Sequence, residues 1–140
     1  KASGVFAANI VCTATSSNLP VVADADLARG AHVNAIGAYR PDTREISGKT
    51  VGRATLVVDS REACMAEAGE LVMAMGEGHL EPEAEPAEIG EVLAGLRPGR
   101  SGDDELTLFK SVGNAVQDLA VAGLILEEAR RLELGTEVEL

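Results

Sequence analysis

The chain has 140 residues, 46% of them hydrophobic, which is one domain's length with enough apolar material for a core and excludes wholesale disorder. Its formal net charge is -11, and its aromatic residues are limited to Phe6, Tyr39 and Phe109. An acidic chain repels a phosphate backbone and so few rings build no base-stacking platform, which argues against nucleic-acid binding; the core must be aliphatic.

The chain opens on Lys1 and soon enters an apolar stretch, Val5 to Thr15, that ends in Thr-Ala-Thr-Ser-Ser. That ending reads as a strand running into a loop, and not as the small-residue cleavage site of a secretory signal. The expectation is that the sequence begins inside a domain. The runs 10–15, 31–36 and 55–59 are strands, the first and third nearly continuously apolar and β-branched, as in strands buried on both faces. They are separated by roughly 15 to 18 residues, too long for hairpins and right for parallel crossovers. The three are expected to be adjacent and parallel. Each ends in small or polar residues, Thr15-Ser-Ser, Gly37-Ala38 and Asp59-Ser60, where an open α/β sheet places its ligands.

Residues 63–75 have the Ala, Glu, Leu and Met content of a helix, broken by Gly76-Glu-Gly78. Residues 81–88, acidic and interrupted by two prolines, read as a solvated loop. A short helix over 89–96 stops at Gly95 or Pro98, and 106–109 is a fourth strand. Ser111 is a plausible N-cap for a long helix over about 112–132. That helix is apolar on nearly every face up to Leu126, so its first half is expected to pack on the sheet, while Glu127 and Arg131 pair on a wet second half. Gly135 ends it, and 136–140 alternates like an edge strand.

No GxGxxG occurs, and Gly48-Lys49-Thr50 lacks both the first glycine of a phosphate-cradling loop and a preceding strand, so it reads as a solvated turn. His32 and His79 have no partners at metal-ligand spacing, and no metal site is expected. Asp59 at a strand end raises a receiver-type phospho-acceptor as a minor alternative, but no acidic pair follows the first strand and Lys110 is followed by serine. The longest apolar run, Leu119 to Leu126, is too short to cross a bilayer. Cys12 and Cys64 form no CxxC motif, and a reducing cytoplasm is the default location. The segment from Asn34 to Glu45 puts Gly37 at a strand end and then Tyr39, Arg40, Asp42, Arg44 and Glu45 around Pro41. Small residues there admit a flat ring to the backbone, and the ionisable groups beyond could orient a charged substrate; a charged surface loop is the alternative.

Three blocks, Val11-Cys-Thr-Ala-Thr-Ser-Ser17, His32-Val-Asn-Ala-Ile-Gly-Ala-Tyr-Arg-Pro-Asp42 and Asp103-Asp-Glu-Leu-Thr-Leu-Phe-Lys-Ser-Val-Gly113, resemble the ornithine cyclodeaminase/mu-crystallin family in order and spacing. Leu93 to Arg100 and Ala115 to Ala120 extend the likeness over nearly the whole chain. The resemblance implies an α/β fold: the second half of a Rossmann-type parallel sheet with flanking helices, plus a C-terminal helix and strand returning to an N-terminal domain. On this reading residues 1–111 are a partial nucleotide-binding domain, and 112–140 link back to the dimerisation and substrate domain. The cofactor it implies is NAD or NADP, with Thr15, Ile36, Gly37 and Ser111 at positions that contact it. A helix N-terminus at Ser111 would add free N–H groups for an anion.

The implied activity is hydride exchange on a small amino or imino acid, by reduction of a cyclic imine, oxidation of an amine or the deaminating cyclisation of ornithine, in a cytoplasmic homodimer with no nucleic-acid or membrane partner. One position departs: where ornithine cyclodeaminases carry an aspartate this chain has Tyr39, and the family's following lysine is Thr43. The loop is more similar to the mu-crystallin branch, associated with ketimine reduction. A phenol of pKa about 10 does not replace a carboxylate base, so Tyr39 is the candidate orienting or proton-donating group. The alternative is a cofactor-bound ligand-binding protein without turnover. The resemblance places the glycine-rich loop outside this segment, so the segment alone is expected to bind dinucleotide negligibly.

Overall fold

The computed structural model describes residues 7–136 and 138. Five strands, β1 (Ile10–Thr13), β2 (His32–Ala35), β3 (Thr55–Val58), β4 (Ala87–Glu88) and β5 (Thr107–Lys110), form one parallel sheet in the order β1-β2-β5-β3-β4. The helices are α1 (Gly48–Arg53), α2 (Arg61–Glu67), α3 (Gly69–Gly76), α4 (Ile89–Leu93) and α5 (Ala115–Arg131). The parallel α/β expectation holds.

The neighbour order differs in one respect. β2 and β3 are not adjacent, because β5 lies between them, with Leu108 facing Val33 on one side and Leu56 on the other. Its burial explains the place: Thr107, Leu108 and Lys110 are all buried, and a strand so short can bury that much only in the middle of the sheet. β4 is a second correction, since the acidic loop over 81–88 ends in two residues that pair with Val57 and Val58.

One face of the sheet carries the core. Val11, Val33, Ala35 and Leu108 pack with Ile46, Val51 and Ala74, and Val58 packs with Cys64, Ala68 and Leu71. The opposite face is an open trough of about 570 Å³ that reaches Asn9, Gly30 and Arg100 at the N-terminal ends of the strands.

The predicted helix over 63–75 is two helices. Ala68 is extended (φ -72°, ψ 109°), which turns the chain so that Gly69 lies against the Thr43 and Arg40 carbonyls. Gly48-Lys49-Thr50 is no turn but the first turn of α1, capped by the Ser47 hydroxyl accepting from the Thr50 N–H.

Ser111 does not cap the long helix. Gly113 (φ 94°) first turns the chain, and Asn114 caps α5 by accepting from the Val116 N–H at 3.1 Å. Nor does α5 pack on the sheet: none of its residues is buried, and Leu119 and Leu124 are 73% and 63% exposed. The core-bearing face of the sheet is already occupied by α1 to α3. Arg131 pairs with Glu128 at 2.6 Å, one turn position nearer than the expected Glu127. The helix ends through Glu133 (φ 54°), before Gly135. The expected strand over 136–140 falls largely outside the described residues. No helix among the described residues is long and apolar enough to cross a membrane.

Candidate functional site

The C-terminal ends of the four longer strands lie side by side, and their hydrogen bonds run on past the last strand residues. Ile36 N–H donates to the Thr13 carbonyl (3.0 Å), Ser111 N–H to Ala35 (3.2 Å) and Asp59 N–H to Lys110 (3.2 Å). Parallel pairing thus sets Thr15, Ile36-Gly37, Ser111 and Asp59 along one edge. Of the expected site residues, Thr15 and Gly37 are brought together: a Cβ on Gly37 would stand 2.3 Å from the Thr15 N and O atoms. Ile36 is 50% exposed at the same edge, and Ser111 is buried beyond it. Tyr39 is 62% exposed on the following loop, next to Ala38, whose carbonyl accepts from Lys110 Nζ.

Two carboxylates organise this edge. Glu45 is fully buried; its Oε2 accepts from Thr13 Oγ1 (2.9 Å) and Gly37 N–H (2.8 Å), and its Oε1 from Thr15 N–H (2.5 Å). Asp59 Oδ2 accepts from Ser111 Oγ (2.7 Å), Val112 N–H (3.2 Å) and Gly113 N–H (3.0 Å), while its Oδ1 accepts from Ser60 N–H (2.8 Å) and Cys64 Sγ (3.0 Å). Ser111 therefore spends its hydroxyl on Asp59 and is not a helix start; the N–H groups of Val112 and Gly113, expected free there, also donate to Asp59. Below Glu45 lies an ion pair of fully buried groups, Lys110 Nζ and Glu70 Oε2 at 3.2 Å, and Glu70 Oε1 accepts from Glu45 N–H (2.8 Å).

Burial pushes the Glu45 and Asp59 carboxyls up, but the donors around each outweigh it and hold both below the usual carboxylate range. Burial, with Asp59 beside it, pushes the Cys64 thiol up to about 12. A carboxyl with a lowered folded pKa stabilises the fold above its unfolded value and loses that contribution as pH falls through the folded value. Urea midpoints are therefore expected to be flat above about pH 5 and to fall below about pH 4. A midpoint that rises on acidification would contradict the arrangement.

The ionisable groups of the 39–45 loop divide accordingly. Glu45 is inaccessible to a ligand and Arg44 is paired with Glu77 (2.5 Å), so neither orients a substrate as the sequence had implied. Arg40 and Asp42 form an exposed pair at 2.9 Å. Glu70 carried no expectation, and Lys110 was weighed only against a receiver-type pattern, not as a buried ion-pair member. A lysine closing the apolar run Leu106 to Phe109 was the one available signal, since a lysine at a central strand position demands a buried partner.

Nearly all of the segment matches a known family. The model of the ornithine cyclodeaminase/mu-crystallin family covers residues 1–133. The chain belongs to that family. It is 38% identical over 133 residues to the Δ1-pyrroline-2-carboxylate reductase of Bacillus cereus, covering 94% of this chain and 41% of that protein. To the mouse ketimine reductase mu-crystallin it is 37% identical over 123 residues, covering 88% of this chain and 36% of the relative. Among solved structures it superimposes with a TM-score of 0.83 on the Thermococcus litoralis Δ1-pyrroline-2-carboxylate reductase in complex with NADH and L-proline, at 37% identity, over 96% of this chain and 42% of that one. The chain thus spans about two fifths of the length of these family members.

Proposed function

We propose that the protein carrying this chain uses NAD(H) or NADP(H) to exchange hydride with the nitrogen-bearing carbon of a small amino or imino acid, with reduction of a cyclic imine as the favoured direction. One observation carries the reading. At the C-terminal edge of the sheet, the Thr15 and Gly37 backbones meet with no room for a Cβ, beside Ile36 and Ser111. A flat ring needs this small-residue edge, and the edge stands where open α/β sheets take their ligands.

The family match and the NADH-bound Thermococcus litoralis relative support the choice of cofactor. A nicotinamide would supply the hydride; the chain's own part is to hold and orient. Thr15 and the Ile36-Gly37 backbone would hold the dinucleotide, and Ser111 with its loop would close the pocket. Tyr39, exposed on the loop that follows the strand end, would donate or hold a proton at the substrate nitrogen. Residues 1–111 act as part of the nucleotide-binding domain, and α5 with its exposed apolar side chains leads back to the domain that forms the homodimer.

NADH and NADPH titrated into the full-length protein, followed by turnover of Δ1-pyrroline-2-carboxylate, test the reading. Micromolar binding of one dinucleotide and imine-dependent oxidation are expected, with kcat lowered on the order of a hundredfold in Tyr39→Phe. Unchanged kcat in that variant would remove Tyr39 from the mechanism. Binding without turnover of imines or amino acids would favour a ligand-binding role instead, and binding of neither dinucleotide would end the proposal.

A further inference from the structure

The C-terminal edge of the sheet is joined between β1 and β2 by a fully buried side chain. We infer that Glu45 is a positioning residue for the cofactor: its buried carboxylate sets the spacing of Thr15 and Gly37, and Glu70 and Lys110 hold it in place. The inference rests on the nucleotide-binding reading given above.

Three observations carry it. First, the carboxylate is fully buried and spends both oxygens on the two strand ends, reaching Thr13 at the end of β1, Thr15 just beyond it and Gly37 after β2. Each of those partners is a donor, so the site requires an acceptor at both oxygens, which an ionised carboxyl supplies and an amide does not. Second, the gap it fills is tight. A Cβ on Gly37 would lie 2.6 Å from Glu45 Oε1, so the carboxylate and the absence of a side chain at Gly37 fit one another. Third, the brace is itself braced. Glu45 N–H donates to Glu70, Glu70 pairs with Lys110, and Lys110 donates to the Ala38 carbonyl, so the loop bearing Ile36 to Tyr39 is gripped on both sides of Ala38.

With its side chain fully buried, Glu45 would act on a ligand only through the backbone it holds. Placement matters at such an edge because a displacement of about 1 Å between reacting groups lowers rates by up to about a hundredfold.

Glu45→Gln keeps the shape but faces a donor toward one of the N–H or O–H groups. In the full-length protein its Kd for the dinucleotide that the wild type binds, NADH or NADPH, is expected to rise about tenfold or more, by the same sensitivity to placement. Glu45→Asp, which keeps the charge at shorter reach, should fall between the two. Ile46→Val, a core substitution beside it, should lower the melting temperature and leave Kd unchanged. A purely structural glutamate would move the melting temperature of Glu45→Gln and not its Kd measured well below melting. A wild-type Kd in Glu45→Gln overturns the inference, as does a wild-type Kd in Glu45→Asp should the first variant fail to fold. Failure of the wild type to bind either dinucleotide sinks this inference together with the reading beneath it, whereas unchanged Kd in the variants sinks this inference alone.

Discussion

Replacing Gly37 with alanine is expected to abolish dinucleotide binding by the full-length protein and to destabilise it. The added Cβ would stand 2.3 Å from Thr15 N, 2.3 Å from Thr15 O and 2.6 Å from Glu45 Oε1. Two of these neighbours are backbone atoms, and the third belongs to a buried carboxylate held by three hydrogen bonds. Thr15 N–H is tied to Glu45, and the chain just before Gly37 is tied to Thr13 through the 3.0 Å bond from Ile36 N–H. Room for a methyl group must come from parting the two strand ends, and overpacking of this kind costs about 1–3 kcal/mol. Gly37 is not in the left-handed region, so the effect is steric alone. Gly76→Ala is the control: at the end of α3 nothing lies within 4 Å of the added Cβ, and stability should be unchanged or rise by up to about 1 kcal/mol. Paired measurements of melting temperature and NADH or NADPH binding decide it. If Gly37→Ala binds like the wild type, the close approach of the strand ends is not what shapes the site.

The contrast between those two glycines also marks what a sequence discloses. Gly37 was legible, because a small residue ending an apolar run is a backbone statement that needs no knowledge of its neighbours. The parallel sheet was legible for the same reason, from β-branched runs and the length of chain between them. Strand order was not. Nothing in Leu106 to Lys110 says that it inserts between two earlier strands, since that choice is made by burial summed over the whole sheet. Glu45 reads as one more charge in a charged loop until the three donors around it are seen. Ser111 and Asn114 are both good caps three residues apart, and the turn at Gly113 selects the second. The apolar surface of α5 was legible too, but periodicity alone does not say where it packs, and the expected sheet face is not it.

The largest single-residue losses of stability should come from Lys110 and Glu70, and the pair should fail separately more than together. Lys110→Met leaves the Glu70 carboxylate buried with only the Glu45 N–H as donor, and takes the donor from the Ala38 carbonyl. Glu70→Gln keeps an acceptor for Glu45 but leaves a fully buried ammonium facing a neutral amide. Removing one member of a buried ion pair costs about 3–5 kcal/mol, because the remaining charge has lost its compensation, while replacing both is often close to neutral. Glu70→Gln combined with Lys110→Met should therefore recover most of either loss, giving a coupling of about 2 kcal/mol or more in a double-mutant cycle by urea unfolding. Additive losses would mean that the two charges do not sense each other across their 3.2 Å separation. The recovered double variant should still bind dinucleotide more weakly than the wild type, because the Ala38 carbonyl remains without its ammonium donor and the loop from Ile36 to Tyr39 is then gripped on one side only.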